Sequence, residues 1–187
     1  MAGSYPPPHY NEPDREIQLQ LIREQPLATF IVAEGDQPFA TPLPLVLAEA
    51  EPLQLLGHLD ANNPAADLIQ DGRKVLAIFH GPNAYISPTD MTTKQLPTYN
   101  YQQVFVRGKL TRHVDLADVQ ADIHALVRAM ESKRKWDLES NDPRLIALLP
   151  LVVGFRIEIE SISGRFKVSQ DKIKADRDVA MRKLLGD

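Results

Sequence analysis

The sequence contains no cysteine in its 187 residues. This absence excludes a disulfide framework, a thiolate metal site and a cysteine nucleophile. Long apolar runs are also missing, because no stretch approaches the roughly 18 to 20 apolar residues that cross a bilayer. The opening segment, MAGSYPPPHYNEP, lacks the apolar region of a secretion signal. We therefore expect a cytoplasmic protein with no membrane partner.

An excess of positive charge is absent as well. Lysine and arginine total 21 against 25 aspartate and glutamate residues, which gives a net charge of -4. A protein that holds nucleic-acid phosphates normally presents a basic face. Basic residues do cluster between positions 165 and 183, but Asp171, Asp176 and Asp178 lie among them. This mixture is typical of a solvent-exposed helix face, so direct nucleic-acid binding is not expected.

Several short catalytic motifs are missing too. The sequence contains no GxGxxG, no P-loop, no GxSxG and no HExxH. Rossmann and P-loop nucleotide sites, a nucleophile elbow and a zinc-protease helix therefore lack support. His58 and His80 each end an apolar segment, and we predict that they are hydrogen-bonded residues at the rim of a pocket. We assign no catalytic residue and no metal ligand.

The composition, 43% apolar and 25% charged, is that of one globular domain spanning residues 1–187. Residues 1–13 are rich in proline and are predicted to form an extended arm, and 171–187 a C-terminal helix. About seven short apolar segments are separated by turns and interleaved with a few helices. This pattern favours an α+β fold built on an antiparallel barrel over a doubly wound parallel sheet.

Caps and prolines locate individual elements. Asp14 is a predicted N-cap of the first helix. Asn63 and Pro64 are predicted to begin a second helix, whose free N–H groups would attract phosphate. Pro42 and Pro44 within an apolar strand indicate an edge strand, a bulge or a backbone exposed to a ligand. The other predicted features are strands at 27–33, 39–47, 53–58, 75–79, 104–113 and 151–159, helices at 64–70, 116–130, 142–150 and 171–185, and a turn at 163–164.

The segment from Val75 to Tyr101 concentrates the unusual backbone and the polar chemistry. Its first strand is interrupted at Gly81-Pro82 and again at Ser87-Pro88, and a polar loop carrying Lys94 follows. The sequence PTYNY then places hydroxyls, an amide and two aromatic rings side by side. The simpler interpretation is a pair of turns and two core tyrosines. The combination is, however, typical of a site for a flat, phosphorylated ligand.

Motifs along almost the whole chain resemble those of one family. GPNAYISP at 81–88, TK at 93–94 and LPTYNY at 96–101 are similar to GPHAYISP, TK and VPTWNY of the PaiB-like FMN-binding split-barrel family. GHLDANNP at 57–64 and FKVSQD at 166–171 are similar to its GHVARANP and FKLSQN. Members of that family are described as negative transcriptional regulators, and this is the function that the resemblance implies.

The resemblance also implies a split antiparallel β-barrel with peripheral helices, and a homodimer with FMN between its subunits. In the wider pyridoxamine-phosphate-oxidase-like superfamily a strand pattern RQVRVEG lines the flavin, and Gln103-Val104 with Gly108 has a comparable spacing. The candidate cofactor-binding residues are His58, Asn62, Asn63, Ser87, Lys94, Thr98, Tyr99, Asn100 and Gln103.

Five positions depart from the family's motifs. Pro42, Ala61, Ala66, Asp90 and Phe105 stand where the family has histidine, arginine, tryptophan, an aromatic residue and histidine. The lost guanidinium matters most, because a charge-assisted bond to phosphate contributes about 1.5 to 3 kcal/mol. Two alternatives to an FMN-binding regulator therefore stay open: an FMN-dependent oxidoreductase, and a barrel that accepts a different small molecule.

Overall fold

A curled antiparallel sheet forms the centre of the molecule. The structure is a computed structural model that describes residues 7–48, 50–134 and 136–186. Positions 1–6 of the predicted arm and Asp187 of the predicted last helix lie outside the described residues. The strands are β1 Asn11–Glu12, β2 Leu27–Glu34, β3 Gln37–Pro44, β4 Val46–Ala48, β5 Gln54–Asp60, β6 Lys74–Ile86, β7 Thr98–Arg112 and β8 Val152–Lys167.

The strand order within the described residues is β3-β2-β6-β7-β8-β5-β4, and β1 pairs with β8. All pairings are antiparallel. The edge strand β3 also contacts β5, so the sheet curls into a partly closed barrel. This arrangement confirms the predicted α+β split barrel, and the edge position of β3 explains how it tolerates Pro42 and Pro44.

The barrel interior is filled by alternate residues of the long strands. Phe30, Phe79 and Phe155 are fully buried, and the rings of Phe30 and Phe155 lie 5.3 Å apart. Burying one such side chain contributes about 1.5 to 3 kcal/mol. Because side chains alternate across a strand, the intervening residues point to the outer face of the sheet.

Two predicted interruptions are instead continuous strand. Gly81 and Pro82 fall in a bulge of β6, where the pairing with β7 shifts register between His80 and Asn83 and then continues. The bulge accommodates a proline that cannot donate to the ladder. The turn predicted at 163–164 is also wrong, since these residues pair with Phe105 and Val104 inside β8.

The helices are α1 Arg15–Glu24, α2 Leu116–Met130, α3 Pro143–Leu148 and α4 Lys174–Leu185. The Asp14 carboxylate caps α1 by accepting hydrogen bonds from the backbone N–H groups of Glu16 and Ile17. Helix α2 has the predicted bounds and is anchored to β8 by Asp122, which accepts two hydrogen bonds from Arg156. No helix in the described part of the chain is long and apolar enough to cross a membrane.

The helix predicted at 64–70 does not form. Only Ala66–Leu68 makes a short 3-10 turn. Four apolar side chains of the segment pack into the barrel interior, namely Ala65, Ala66, Leu68 and Ile69. This burial does not require the segment to be a helix with one apolar face. Its start therefore offers no full helix N-terminus for a phosphate, although the Asn63 side chain still accepts from the Ala65 N–H at 2.9 Å.

Candidate functional site

A cleft of about 420 Å³ opens at the end of the sheet where β7 begins and β8 ends. Three of the predicted site residues line it, namely Lys94, Thr98 and Asn100. Lys167 and Lys172 complete the walls. Sequence reasoning missed both of these lysines, because their approach to Lys94 depends on the pairing of β7 with β8, which a linear motif does not show.

The cleft is positively charged. Lys172 pairs with Asp171 at 2.8 Å, and that hydrogen bond raises the pKa of the lysine. Lys167 donates a hydrogen bond to Thr98 Oγ1. Lys94 is exposed and has no bonding partner among the described residues. Three ammonium groups thus face one carboxylate, which leaves a net positive charge suited to a dianion such as a phosphate monoester.

A buried carboxylate holds the loop that carries Lys94. Asp176 of α4 is fully buried and accepts from the backbone N–H of Thr92 at 2.6 Å and from its hydroxyl at 2.7 Å. It also accepts from the Thr93 hydroxyl at 2.5 Å and from Gln95 Nε2 at 2.6 Å. These hydrogen bonds lower the pKa of Asp176 to about 2, and the bond from Thr93 has the largest effect.

The prediction that Asp176 belongs to a solvent-exposed face was therefore wrong. A signal was present in the sequence, since Asp176, Ala180 and Leu184 repeat every four residues and all three are buried. A second contact ties the same region to α4: Asp90 pairs with Lys183 at 2.6 Å. This ion pair occupies the position where the family has an aromatic residue.

The Asn100 side chain lines the cleft but is already hydrogen-bonded. It is fully buried, and its amide donates to Ser169 Oγ at 2.9 Å. Ser169 has a left-handed backbone with φ of 62° at the turn that leaves β8. Asn100 therefore joins β7 to this turn. Because the turn extends past residue 171, helix α4 begins at residue 174 and not at the predicted residue 171.

The outer face of the neighbouring strands carries aromatic and polar side chains. Tyr85 and Tyr99 are paired across β6 and β7 with ring centroids 5.6 Å apart, and more than half of each side chain is exposed. Of the two tyrosines of PTYNY, Tyr99 is therefore a surface residue, whereas Tyr101 is half-buried. Tyr85 and Tyr99 together form an exposed aromatic patch, with the two rings inclined at 59°, on the opposite side of β7 from Asn100.

A hydrogen-bond chain crosses the same outer face. Gln103 Nε2 donates to His80 Nδ1 at 3.1 Å, and His80 Nε2 lies 3.0 Å from Thr29 Oγ1. Because the Gln103 amide nitrogen only donates, His80 Nδ1 accepts this hydrogen bond, and His80 Nε2 is then the ring nitrogen that donates to Thr29 Oγ1. Beside this chain, the guanidinium of Arg165 lies 5.4 Å from the ring centroid of Phe105. His80 thus fulfils the prediction of a hydrogen-bonded histidine.

The other predicted site residues lie outside the cleft. His58 is on the face of β5 that α2 covers, because it pairs with Gly154, whose Cα faces Val119 of that helix. Burial lowers the pKa of His58, and no described residue bonds to it, so the predicted hydrogen bond is not formed. Asn62 is bonded to Asp60.

Two further candidates are held in local turns. Asn63 lies 3.4 Å from Thr41 Oγ1, so the ANNP turn meets the edge strand β3. Ser87 caps the turn Pro88–Asp90 through hydrogen bonds with Thr89 and Asp90. The candidate residues therefore lie in separate places on the chain. Lys94, Thr98 and Asn100 share one cleft, whereas the other candidates do not line it.

A second cavity, of about 560 Å³, lies between α2 and strands β4 and β5. It contains none of the predicted site residues, and the guanidinium of Arg156 at its edge is bound by Asp122. Within the described residues, no three His, Asp or Glu side chains are close enough together to bind a metal ion.

Comparison with known proteins agrees with the motifs. The model of the family described as "Putative FMN-binding domain" matches residues 4–161. Protein PAI 2 of Bacillus subtilis, named for protease synthase and sporulation, is 29% identical over 92% of this chain and 84% of its own length. An uncharacterised protein of Aspergillus fumigatus is 25% identical over 85% of this chain and 82% of its own length.

Solved structures show the same fold at low sequence identity. The FAD and heme binding protein from Mycobacterium smegmatis has a TM-score of 0.69 and 16% identity, covering 92% of this chain and 80% of its own. The flavocytochrome Anf3 from Azotobacter vinelandii has a TM-score of 0.62 and 13% identity, covering 84% and 69%. FMN is the cofactor that the family match supports, and the chain belongs to the PaiB-like FMN-binding domain family.

Proposed function

We propose that this protein binds FMN, with the phosphate in the lysine cleft and the flavin ring along the outer face of β6 and β7. One observation carries this proposal: Lys94, which has no partner among the described residues, lies in the same cleft as Lys167 and Lys172. The cleft adjoins strands whose outer face bears aromatic rings and an amide–imidazole chain.

The donor set of the cleft fits a phosphate. Each charge-assisted hydrogen bond to a phosphate oxygen contributes about 1.5 to 3 kcal/mol. Lysines that lie apart in the sequence can therefore supply the charge that the family obtains from the arginine replaced here by Ala61. The cleft is open to solvent, so an entering phosphate is only partly desolvated.

The outer face fits a flat heteroaromatic ring. The exposed rings of Tyr85 and Tyr99 offer apolar contact, and Gln103 with His80 offers polar groups at the ring edge. Bound FMN supplies electron-transfer chemistry, while these side chains bind and orient it.

A homodimer completes the proposal. Ile31, Ile78 and Phe105 lie half-buried on the outer face, in a region of the sheet away from the strands that contact α2. A second copy docked there would cover this apolar strip. In such a dimer, one subunit would supply the turn around Asn63 and its partner would supply the lysine cleft, so that the two together form one site.

We also propose a regulatory role, because the resemblance to the PaiB-like family, whose members are described as negative transcriptional regulators, implies it. The net charge of -4 favours regulation through a ligand or a protein partner over direct contact with DNA. A gel shift at controlled salt tests this point, and a specific shift with an operator fragment would contradict it.

The visible absorption spectrum of the freshly purified protein tests FMN binding. We expect flavin absorbance, or its appearance when the protein is mixed with FMN and passed through a desalting column. A protein that remains colourless and does not quench FMN fluorescence in a titration would contradict the proposal.

A second candidate ligand is a different planar phosphate ester. Pro42 and Ala61, with the ion pair between Asp90 and Lys183, change groups that the family places at its cofactor motifs. The lysine cleft would still bind the phosphate. Mass spectrometry of small molecules released from denatured protein distinguishes the two candidates by identifying FMN or another ester.

A further inference from the structure

The loop on either side of Lys94 is fixed by a single side chain. Asp176 Oδ1 accepts two hydrogen bonds from Thr92, and Oδ2 accepts one each from Thr93 and Gln95. Every carboxylate oxygen is thus used, and residues both before and after Lys94 are tied to α4. The Lys94 side chain itself is left without a partner among the described residues and lines the cleft.

This arrangement reduces the entropic cost of binding. A mobile loop would spread the Lys94 ammonium over a wide volume, and a phosphate would have to order the loop backbone when it binds. Because the Thr92 backbone N–H and the side chains of Thr92, Thr93 and Gln95 are already bonded to Asp176, the Lys94 rotamers account for most of the ordering that remains. The buried carboxylate therefore affects how well Lys94 recognises an anion without touching that anion.

We propose that Asp176 is a positioning residue that presets Lys94 for the flavin phosphate, so that helix α4 sets the preference for FMN over unphosphorylated riboflavin. This inference rests on the proposed FMN site. It assigns a binding role to a residue of the C-terminal helix that lies outside the matched span 4–161 of the family model.

Charge repulsion alone predicts the opposite change in FMN affinity. Removing a negative charge near the cleft should strengthen the binding of a dianion. Positioning predicts weaker binding, because Asp176→Asn replaces one acceptor oxygen by an NH2 group, which cannot accept the two hydrogen bonds from Thr93 and Gln95, or the two from Thr92, and so loosens the loop. The sign of the change therefore separates the two explanations.

The test compares FMN and riboflavin affinities of wild type, Asp176→Asn and Asp178→Asn by fluorescence titration. Asp178 lies on the same helix and is more exposed, and its one ion pair within the described residues is with Lys174 at 2.6 Å, so its variant is a matched control for charge. We expect Asp176→Asn to weaken FMN binding about tenfold, the loss of roughly one charge-assisted contact. Riboflavin affinity should stay unchanged, and Asp178→Asn should behave as wild type.

A double-mutant cycle with Lys94→Ala shows whether Asp176 acts through Lys94. If it does, Asp176→Asn in the Lys94→Ala background causes no further loss of FMN affinity. If the Asp176 variant does not fold, Thr93→Val removes one of the same hydrogen bonds at an exposed position and should give a smaller loss of the same sign.

The outcomes separate this inference from the proposed function. A wild-type protein that binds FMN no better than riboflavin contradicts the proposed phosphate site itself. A wild type that prefers FMN, together with Asp176 and Thr93 variants that keep the full preference, overturns only the role of Asp176. Tighter FMN binding by Asp176→Asn also overturns it, in favour of simple charge repulsion.

Discussion

Among single residues, Lys94 is the proposed phosphate contact, and Asp176 holds the loop that carries it. The structure leaves this ammonium group exposed in a cleft with two other lysines, where its charge has no partner among the described residues. Such a group contributes little to folding and is available to a ligand. A change at Lys94 should therefore affect binding and leave stability unaltered.

We predict that Lys94→Ala weakens FMN binding about tenfold to a hundredfold, the equivalent of one charge-assisted hydrogen bond. Calorimetric titration measures the loss. Lys174→Ala is the control, because Lys174 is exposed and, in the part of the chain that the structure describes, its side chain bonds to Asp178 alone. An unchanged FMN affinity in the Lys94 variant would remove the cleft as the phosphate site.

Asp176 gives a pH prediction whose sign follows from its lowered pKa. The carboxyl group titrates near 2 in the folded protein and at about 3.9 in the unfolded chain. Its contribution to stability is thus complete above about pH 4 and is lost as the pH falls towards 2. The urea midpoints of wild type and Asp176→Asn should differ most at neutral pH and converge in acid, and a constant difference would contradict this assignment.

At the scale of elements, local signals predicted what is determined locally. The Asp14 cap predicted α1 and the spacing of apolar residues predicted α2, and an edge strand was one of the three alternatives that Pro42 and Pro44 indicated. Each depends on neighbours within a few positions in the chain. The same local rules wrongly predicted an interruption at Gly81-Pro82, because a bulge in β6 lets that strand continue its pairing with β7 past the turn signal.

The candidate site was predictable only in part for the same reason. The residues Lys94, Thr98 and Asn100 were identified from a motif and share one cleft. Asp176 was not identified, because its partner Thr92 lies 84 positions away in the sequence. A carboxylate whose donors come from another element resembles a surface residue until the tertiary contact is known.

The bulge between β7 and β8 gives a prediction about an element. Pairing shifts register between Arg107 and Gly108, and a Cβ on Gly108 would lie 2.2 Å from the backbone oxygen of Glu158. Gly108→Ala should therefore destabilise the protein by about 1 to 3 kcal/mol, the usual cost of overpacking. Urea denaturation measures this loss, and Thr111→Ala at an exposed position of the same strand should cost less than about 1 kcal/mol.

At the scale of the whole molecule, the sheet has one face filled by the core and another that is only partly covered. Helix α2 packs on β4, β5 and β8, whereas Ile78 and Phe105 lie half-buried on the outer face of β6 and β7. His80 and Gln103, which we propose to contact the flavin ring, lie on the same outer face as this apolar strip. Self-association and cofactor binding should therefore be linked.

We predict that the protein sediments as a dimer of its 21.0 kDa chain. Ile78→Glu should shift it towards monomer and weaken FMN binding in the same samples, because a charge buried in an apolar interface is costly. Val114→Glu, at a position that is 91% exposed, is the matched control. A monomeric wild type at micromolar concentration would contradict the dimer.

The central claim is that the lysine cleft recognises the phosphate of a flavin. A parallel titration of the wild-type protein with FMN and with riboflavin, at the same ionic strength, tests it most directly, because the two ligands differ only in that phosphate. We expect FMN to bind at least about tenfold more tightly than riboflavin, and added salt to reduce the difference. Equal affinities, or no binding of either flavin, would contradict it.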